Sequence, residues 1–162
     1  MTTATTAKRC SACGEGVFVA TDVRGKAFAY RDERALVLPE SLTLPVCTAC
    51  GEMRVSQADA ERLDAALEPA YVAQRAATTR GFVESLVQSG WRQIDIEHAM
   101  GLSQGYISKV IRAEKTFGMA HLHHLYLLAK HPRATISQLA PAFPEIRELE
   151  ESLVRRGALA KA

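Results

Sequence analysis

The sequence predicts an α+β protein with a small β-rich N-terminal module followed by an all-α C-terminal domain. Three observations lead to this prediction. Short segments that alternate apolar and polar residues occupy the first third of the chain, two CxxC pairs flank those segments, and helical periodicity dominates from residue 79 onward. We therefore place a metal-stabilised module at residues 1–68, a hinge at 69–78 and a helical domain at 79–162.

Four short segments of the first module predict β-strands. Each alternates apolar and polar side chains, and glycine or charged residues separate them: GVFVATDV, AFAYRD, ALVLPE and SLTLPV. Such alternation is typical of strands with one buried face, and the residues between them indicate hairpin turns.

Four cysteines in two close pairs predict a metal site. Cys10 and Cys13 form the first CxxC pair, and Cys47 and Cys50 form the second. A tetrahedral set of four thiolates suits Zn²⁺ and leaves no open position for catalysis. We expect one structural Zn²⁺ per chain, because the module is too small to be secure on its core alone. Iron in a rubredoxin-like site has similar ligands, and a redox-active CxxC pair is a further alternative.

Capping and breaking residues then predict the helices. Ser56 and Asp59 resemble a capping box, so a helix is expected to start there. Pro69 is expected to interrupt that helix. The boundaries of the later helices are marked by Gly90, Gly101, Pro132, Pro144 and Gly157.

Residues 92–114 carry the pattern of a helix-turn-helix. Gln93 starts a short helix, Gly101 occupies a turn where positive φ is expected, and Ser103 is expected to cap the next helix. In this motif the first residues of the second helix enter the major groove of double-stranded DNA. The predicted DNA-binding residues are Arg92, Gln93, Ser103, Gln104, Gly105, Tyr106, Ser108, Lys109 and Arg112.

Within this set the side chains suggest different roles. The candidates for base or groove-wall contacts are Gln104, Tyr106 and Lys109. The candidates for phosphate contacts, helped by the N-terminal helix amides, are Arg92, Gln93, Ser108 and Arg112. Glu97 is unusual, because the motif usually has a small residue between its helices at this position. A helical bundle without a role in DNA binding is the alternative.

Charge is distributed unevenly along the chain. The net charge is +2, but residues 1–68 carry 8 basic and 10 acidic side chains, whereas residues 69–132 carry 7 basic and 4 acidic ones. This asymmetry suits an N-terminal part that meets a basic partner and a later part that meets phosphate. A mixed, solvated surface explains the charges equally well.

Some classes of protein are not expected. The first ten residues, MTTATTAKRC, lack the apolar segment of a signal peptide, and no run approaches the roughly 18 apolar residues of a membrane span. We therefore expect a cytoplasmic protein without membrane contact. No nucleophile with a base, no phosphate-binding loop and no open metal site is apparent, so no enzymatic activity is predicted.

The architecture resembles the MqsA-type antitoxin family. The resemblance covers roughly residues 8–140 and depends on the segments CSACGEG and LPVCTACGEMRVSQADAERL and on the Xre-type, lambda-repressor-like helix-turn-helix followed by LLAKHP. It implies that the zinc module binds a ribonuclease-type toxin. It also implies that the helix-turn-helix domain forms a homodimer and represses its own operon at a palindromic site.

The resemblance also assigns positions for base readout. The family's base-reading Asn falls on Gly105 and its base-reading Arg falls on Lys109, so Gln104 and Tyr106 are expected to take over part of the readout. The chain continues past the family's usual end, where we predict an extra C-terminal helix. A zinc-containing transcription regulator without a toxin partner is the alternative function.

Overall fold

A computed structural model of the chain describes residues 9–159; residues 1–8 and 160–162, at the outer ends of the predicted domains, lie outside this range. The described chain is mixed α+β, as predicted. Its strands are β1 (Phe18–Asp22), β2 (Ala27–Tyr30), β3 (Glu33–Val37) and β4 (Thr43–Cys47). Its helices are α1 (Gln57–Gln88), α2 (Gln93–Ala99), α3 (Tyr106–Ile111), α4 (Met119–Lys130), α5 (Pro132–Leu139) and α6 (Pro144–Arg155).

The chain forms two compact units, of which the first ends at Tyr71 and the second begins at Val72. The first unit contains two antiparallel two-stranded sheets, one formed by β1 with β4 and the other by the β2–β3 hairpin. Its buried apolar side chains include Val23, Leu36, Leu38, Leu42, Leu44 and Val46. The four predicted strands are therefore confirmed.

The start of α1 matches the sequence prediction, but its course does not. The Asp59 N–H donates to Ser56 Oγ at 3.2 Å, and the Ser56 N–H donates to Asp59 Oδ2 at 3.3 Å, which completes a capping box. The predicted interruption at Pro69 is wrong, and the segment expected to be a hinge, residues 69–78, is helical. A proline removes one hydrogen bond inside a helix, but its fixed φ is itself helical.

Contacts within the first unit hold the helix on both sides of this proline. The Tyr30 hydroxyl donates to Glu68 Oε2 at 2.7 Å, and the Tyr71 hydroxyl donates to Asp32 Oδ1 at 2.9 Å. Arg31 adds an ion pair with Glu68 at 2.8 Å. These contacts connect the β2–β3 turn to the residues around Pro69, so tertiary interactions offset a local preference for a break.

The second unit has one hydrophobic core to which α1 through α6 all contribute. Its largest fully buried apolar side chains are Leu86, Trp91, Ile96, Ile107, Phe117, Leu125, Leu128, Ile136 and Leu153. The predicted C-terminal helix buries its apolar stripe here, through Ile146, Leu149 and Leu153. Across residues 9–159, none of the helices combines the length and apolar character that a membrane span requires.

A buried carboxylate connects the start of α2 to the end of α6. Asp95 is 2% exposed, and its Oδ2 accepts the Arg92 N–H at 2.8 Å, which satisfies one free amide at the start of α2. The Arg92 guanidinium reaches Oδ1 at 2.8 Å, and Arg156 reaches Oδ2 at 2.9 Å. Burial raises the pKa of Asp95, but the hydrogen bonds from Arg92 and Arg156 outweigh it and hold this pKa below its usual value.

We predict that Asp95→Asn lowers the free energy of unfolding of the second unit by about 2–3 kcal/mol, because donors to a buried charge lose their partner. The fluorescence of Trp91, the only tryptophan and a buried one, reports on this unit during urea denaturation. Exposed Glu148, changed to Gln, is the matched control and should have almost no effect.

The contribution of Asp95 to the free energy of unfolding should also depend on pH. Because the folded-state pKa of Asp95 is lowered, its contribution to stability is present above the unfolded value of about 3.9 and is lost as the pH falls through the folded-state pKa. The stability difference between the unchanged protein and Asp95→Asn should therefore shrink at acidic pH. A constant difference from pH 7 to pH 3 would contradict this assignment.

Candidate metal centre and nucleic-acid interface

Two equivalent turns carry the four cysteines. In the first, the Gly14 N–H donates to the Cys10 carbonyl at 2.8 Å; in the second, the Gly51 N–H donates to the Cys47 carbonyl at 3.1 Å. Gly14 and Gly51 have φ of 72° and 74°, a region that disfavours side chains. Each glycine therefore lets the chain turn back immediately after its CxxC pair.

Strand pairing brings the two turns together. β1 and β4 are in a register that sets Phe18 opposite Cys47, and a bridge between Arg9 and Val17 extends the pairing toward the first turn. The Cys10 N–H also donates to the Gly16 carbonyl at 2.8 Å. The sheet thus brings the two cysteine pairs close together in space, although they lie far apart in the sequence.

The four sulfur atoms form a compact cluster, as predicted. The Sγ atoms of Cys10 and Cys50 are 3.7 Å apart, those of Cys13 and Cys47 are also 3.7 Å apart, and all four lie within 4.8 Å of one another. None forms a disulfide. Metal–sulfur bonds of about 2.3 Å in a tetrahedron give sulfur–sulfur edges of about 3.8 Å. The cluster therefore fits a tetrahedral four-sulfur metal site, and it is the one such group of potential ligands within residues 9–159.

Backbone N–H groups are aimed at these sulfurs. The N–H groups of Gly16 and Glu15 lower the pKa of Cys13 to about 6, and those of Cys50 and Ala49 lower the pKa of Cys47. The Glu52 N–H favours the Cys50 thiolate, but the neighbouring Cys47 sulfur and burial raise the pKa of Cys50 to about 12. Four thiolates this close repel one another, and a bound dication allows all of them to ionise.

Gly16 is a determinant of this site that the sequence prediction missed. A Cβ atom at this position would lie 2.4 Å from Cys47 Sγ and 2.8 Å from the Ala49 nitrogen. The signal in the sequence is the second glycine of CSACGEG, which lies three residues after Cys13. Only a glycine fits between the first turn and a ligand of the second.

Around α2 and α3, a buried carboxylate organises the candidate nucleic-acid interface. Glu97 is 1% exposed, and its carboxylate accepts the Gly105 N–H at Oε2 and the Ile107 N–H at Oε1, both at 3.0 Å. The prediction that Ser103 caps α3 is wrong: the N-cap is Gly105, with φ 81°, and it makes no side-chain cap. The carboxylate from α2 replaces the expected local cap.

Two of the predicted phosphate ligands are engaged with each other. Gln93 Nε2 donates to Ser108 Oγ at 2.8 Å and to Glu97 Oε1 at 2.9 Å, and the Ser108 hydroxyl donates to Gln93 Oε1 at 3.1 Å. These contacts fasten α2 to α3 and use the polar atoms that were expected to meet phosphate.

The other predicted contact residues lie at the surface, and two of them form ion pairs. Ser103, Gln104 and Lys109 are exposed. Arg92 is paired with Asp95, and Arg112 Nε is 2.7 Å from Glu114 Oε1. An ion pair that is exposed on both sides contributes little, so the Arg112 guanidinium can exchange Glu114 for a phosphate. The Arg92 guanidinium is 63% exposed but stays bound to a buried carboxylate.

Tyr106 is held in an aromatic stack. Its ring lies 5.7 Å from the Phe117 ring at an interplanar angle of 15°, and Phe117 in turn stacks on His121 at 5.3 Å. The Lys115 ammonium group lies 5.3 Å from the Tyr106 ring centroid. This half-buried tyrosine at the start of α3 is therefore fixed in orientation.

We predict that Gly16→Ala weakens metal binding by about 10- to 100-fold, the usual effect of disturbing the immediate surroundings of metal ligands. Competition with a chromophoric chelator measures the affinity. Gly81→Ala is the matched control, because an added Cβ there meets open space within a helix and should leave metal affinity unchanged. Equal affinities for Gly16→Ala and the unchanged protein would contradict the close contact.

Comparisons with known proteins do not assign a family. No family model matches the chain, and a search of curated proteins finds no significant match. The resemblance to the MqsA-type antitoxins therefore stays a prediction from the sequence motifs.

Proposed function

We propose that the protein is a non-catalytic transcription regulator that binds double-stranded DNA through α2 and α3. The observation that carries this proposal is the pairing of two short helices across a turn at Gly101, whose φ is 66°. Ile96 and Ile107 are fully buried on the inner side, whereas Gln104 and Lys109 are exposed on the outer side. These features support a helix-turn-helix, a motif in which the exposed start of the second helix enters the major groove.

The exposed residues supply suitable chemistry for that contact. Gln104 can pair with an adenine edge, and Lys109 can donate to guanine acceptors. Tyr106 offers an apolar ring for the groove wall, and Arg92 and Arg112 offer guanidinium groups for phosphates. Gln93 and Ser108 support the surface from beneath, through the contact between α2 and α3.

A homodimer on a palindromic operator is part of the proposal. One α3 reads only a half-site, so a single chain has limited specificity. Two chains related by a two-fold axis, with half-sites one DNA turn apart, read a site of useful length.

We further propose that the four-cysteine site holds one structural Zn²⁺ and that the first unit is a partner-binding head. The sulfur spacing and the N–H groups aimed at the sulfurs support a closed tetrahedral thiolate site, which stabilises the fold and leaves no position for a substrate. The partner would be a ribonuclease-type toxin, and the protein would be a type II antitoxin that represses its own operon. The acidic charge of residues 1–68 supports a basic partner such as an RNA-binding protein.

We predict that Lys109→Ala weakens binding to the preferred DNA sequence by about 1–3 kcal/mol if the ammonium group contacts a base. The preferred sequence is obtained by selection from a random DNA library with the unchanged protein, and binding is measured by fluorescence anisotropy at fixed salt. Titration at high concentration should also give two chains per site. Arg147→Ala, which removes an exposed charge on α6, is the control.

The outcomes separate base reading from charge attraction. An equal loss on random DNA would assign Lys109 to phosphate contact alone. Failure of the unchanged protein to select any sequence would contradict the proposed regulator.

We predict that the product of an adjacent small gene co-purifies with the full-length protein and that this product alone arrests growth. Co-expression with an affinity tag on one partner tests the complex, and induction of the neighbour with and without this protein tests neutralisation. A selected DNA sequence without any toxic, co-purifying neighbour would favour the stand-alone regulator. Zinc measured at one atom per chain, with no thiols reactive in the loaded protein, would exclude a thiol oxidoreductase.

A further inference from the structure

We propose that Glu97 is a positioning residue for DNA recognition. Its buried carboxylate accepts two N–H groups at the start of α3 that could otherwise donate to a DNA phosphate. These hydrogen bonds fix the helix so that its side chains can read the DNA. This inference deepens the proposed DNA-binding function and depends on it. The carboxylate belongs to α2, ten residues before the second of the two amides it accepts.

Three of the amides at the start of α3 have partners inside the protein. The Gly105 and Ile107 N–H groups donate to Glu97, and the Tyr106 N–H donates to the Ser103 carbonyl at 3.1 Å. A helix start with free amides attracts phosphate. Here these three donors are satisfied and a carboxylate lies at the same end, so the start of α3 has fewer free amides and less positive charge to attract a phosphate.

The position of Glu97 also determines the geometry of the exposed residues. The same carboxylate receives the Gln93 Nε2 donor, and Gln93 in turn is hydrogen-bonded to Ser108 on α3. This network connects α2 to α3 through Glu97, a residue that is 1% exposed. Gln104 lies immediately before one accepted amide and Lys109 lies two residues after the other, so the orientation of these side chains depends on the same anchor.

Two consequences follow for DNA binding. Sequence preference should depend on Glu97 although its side chain does not reach the surface, since the anchor places Gln104, Tyr106 and Lys109. Attraction to phosphate should instead be reduced by its charge. Removal of the charge should therefore lower discrimination between sequences while it preserves or increases binding to random DNA, a combination that loss of stability alone does not produce.

Glu97→Gln in the full chain tests the proposal. The amide keeps the size of the side chain, but it has only one oxygen that can accept, and its NH₂ group cannot accept from the second backbone N–H. We expect the ratio of the dissociation constants for random and selected DNA to fall by about tenfold, the equivalent of one lost hydrogen bond to a charged group. Leu149→Ala is the control, because it removes buried contacts on α6 and leaves the α3 hydrogen bonds intact. Binding is measured where Trp91 fluorescence shows each variant to be folded.

An unchanged ratio in folded Glu97→Gln, or an equal fall in Leu149→Ala, would overturn the proposal. If Glu97→Gln does not fold, amide hydrogen exchange in the unchanged protein gives the answer. The Gly105 and Ile107 amides should exchange slowly without DNA, as satisfied donors do, and rapid exchange at both would overturn the proposal. Failure of the unchanged protein to select any DNA sequence would contradict the proposed function instead, while slow exchange would still support the anchoring of α3.

Discussion

Backbone N–H groups that regular secondary structure leaves without a carbonyl partner shape both parts of this protein. Each such group has to find another acceptor when it is buried. In the first unit, the sulfur of Cys13 accepts from residues after its CxxC pair, and the sulfur of Cys47 accepts from residues within its own pair. At the starts of α1, α2 and α3, carboxylates accept from the free amides: Asp59, Asp95 and Glu97.

The same requirement stabilises a different charge in each place. At the cysteine turns the N–H groups favour thiolate, which is the form that binds a metal. At the helix starts the N–H groups donate to carboxylates, and one of these, Asp95, also binds the guanidinium of the distant Arg156. The cysteine turns and the capped helices thus share one interaction: backbone N–H groups donate to a side-chain acceptor, which is sulfur in the turns and oxygen at the helix starts.

The arrangement also accounts for how the two units contribute to the proposed function. In that proposal, four cysteine ligands close the metal site, the metal stabilises a small sheet, and the surface of the module is left to bind a partner. Around α3, the buried carboxylate accepts backbone amides, so the proposed contacts with DNA depend on the exposed side chains. In the proposed complex with DNA, sequence specificity would depend on how the network beneath α3 places Gln104, Tyr106 and Lys109.

The sequence by itself determined the features whose partners are near in the chain. The cysteine pairs and their glycines, the capping box of Ser56 and Asp59, and the glycine turn at Gly101 depend on residues a few positions apart, so their patterns are readable directly. Tertiary structure alone decided the continuation of α1 past Pro69, where contacts from the β2–β3 turn outweigh the proline. It also decided the cap of α3, since Glu97 replaces the nearby Ser103. A capping prediction from sequence considers only acceptors within a few residues of the helix start. The folded chain instead brings in a charged carboxylate from eight to ten residues away, which accepts two amides.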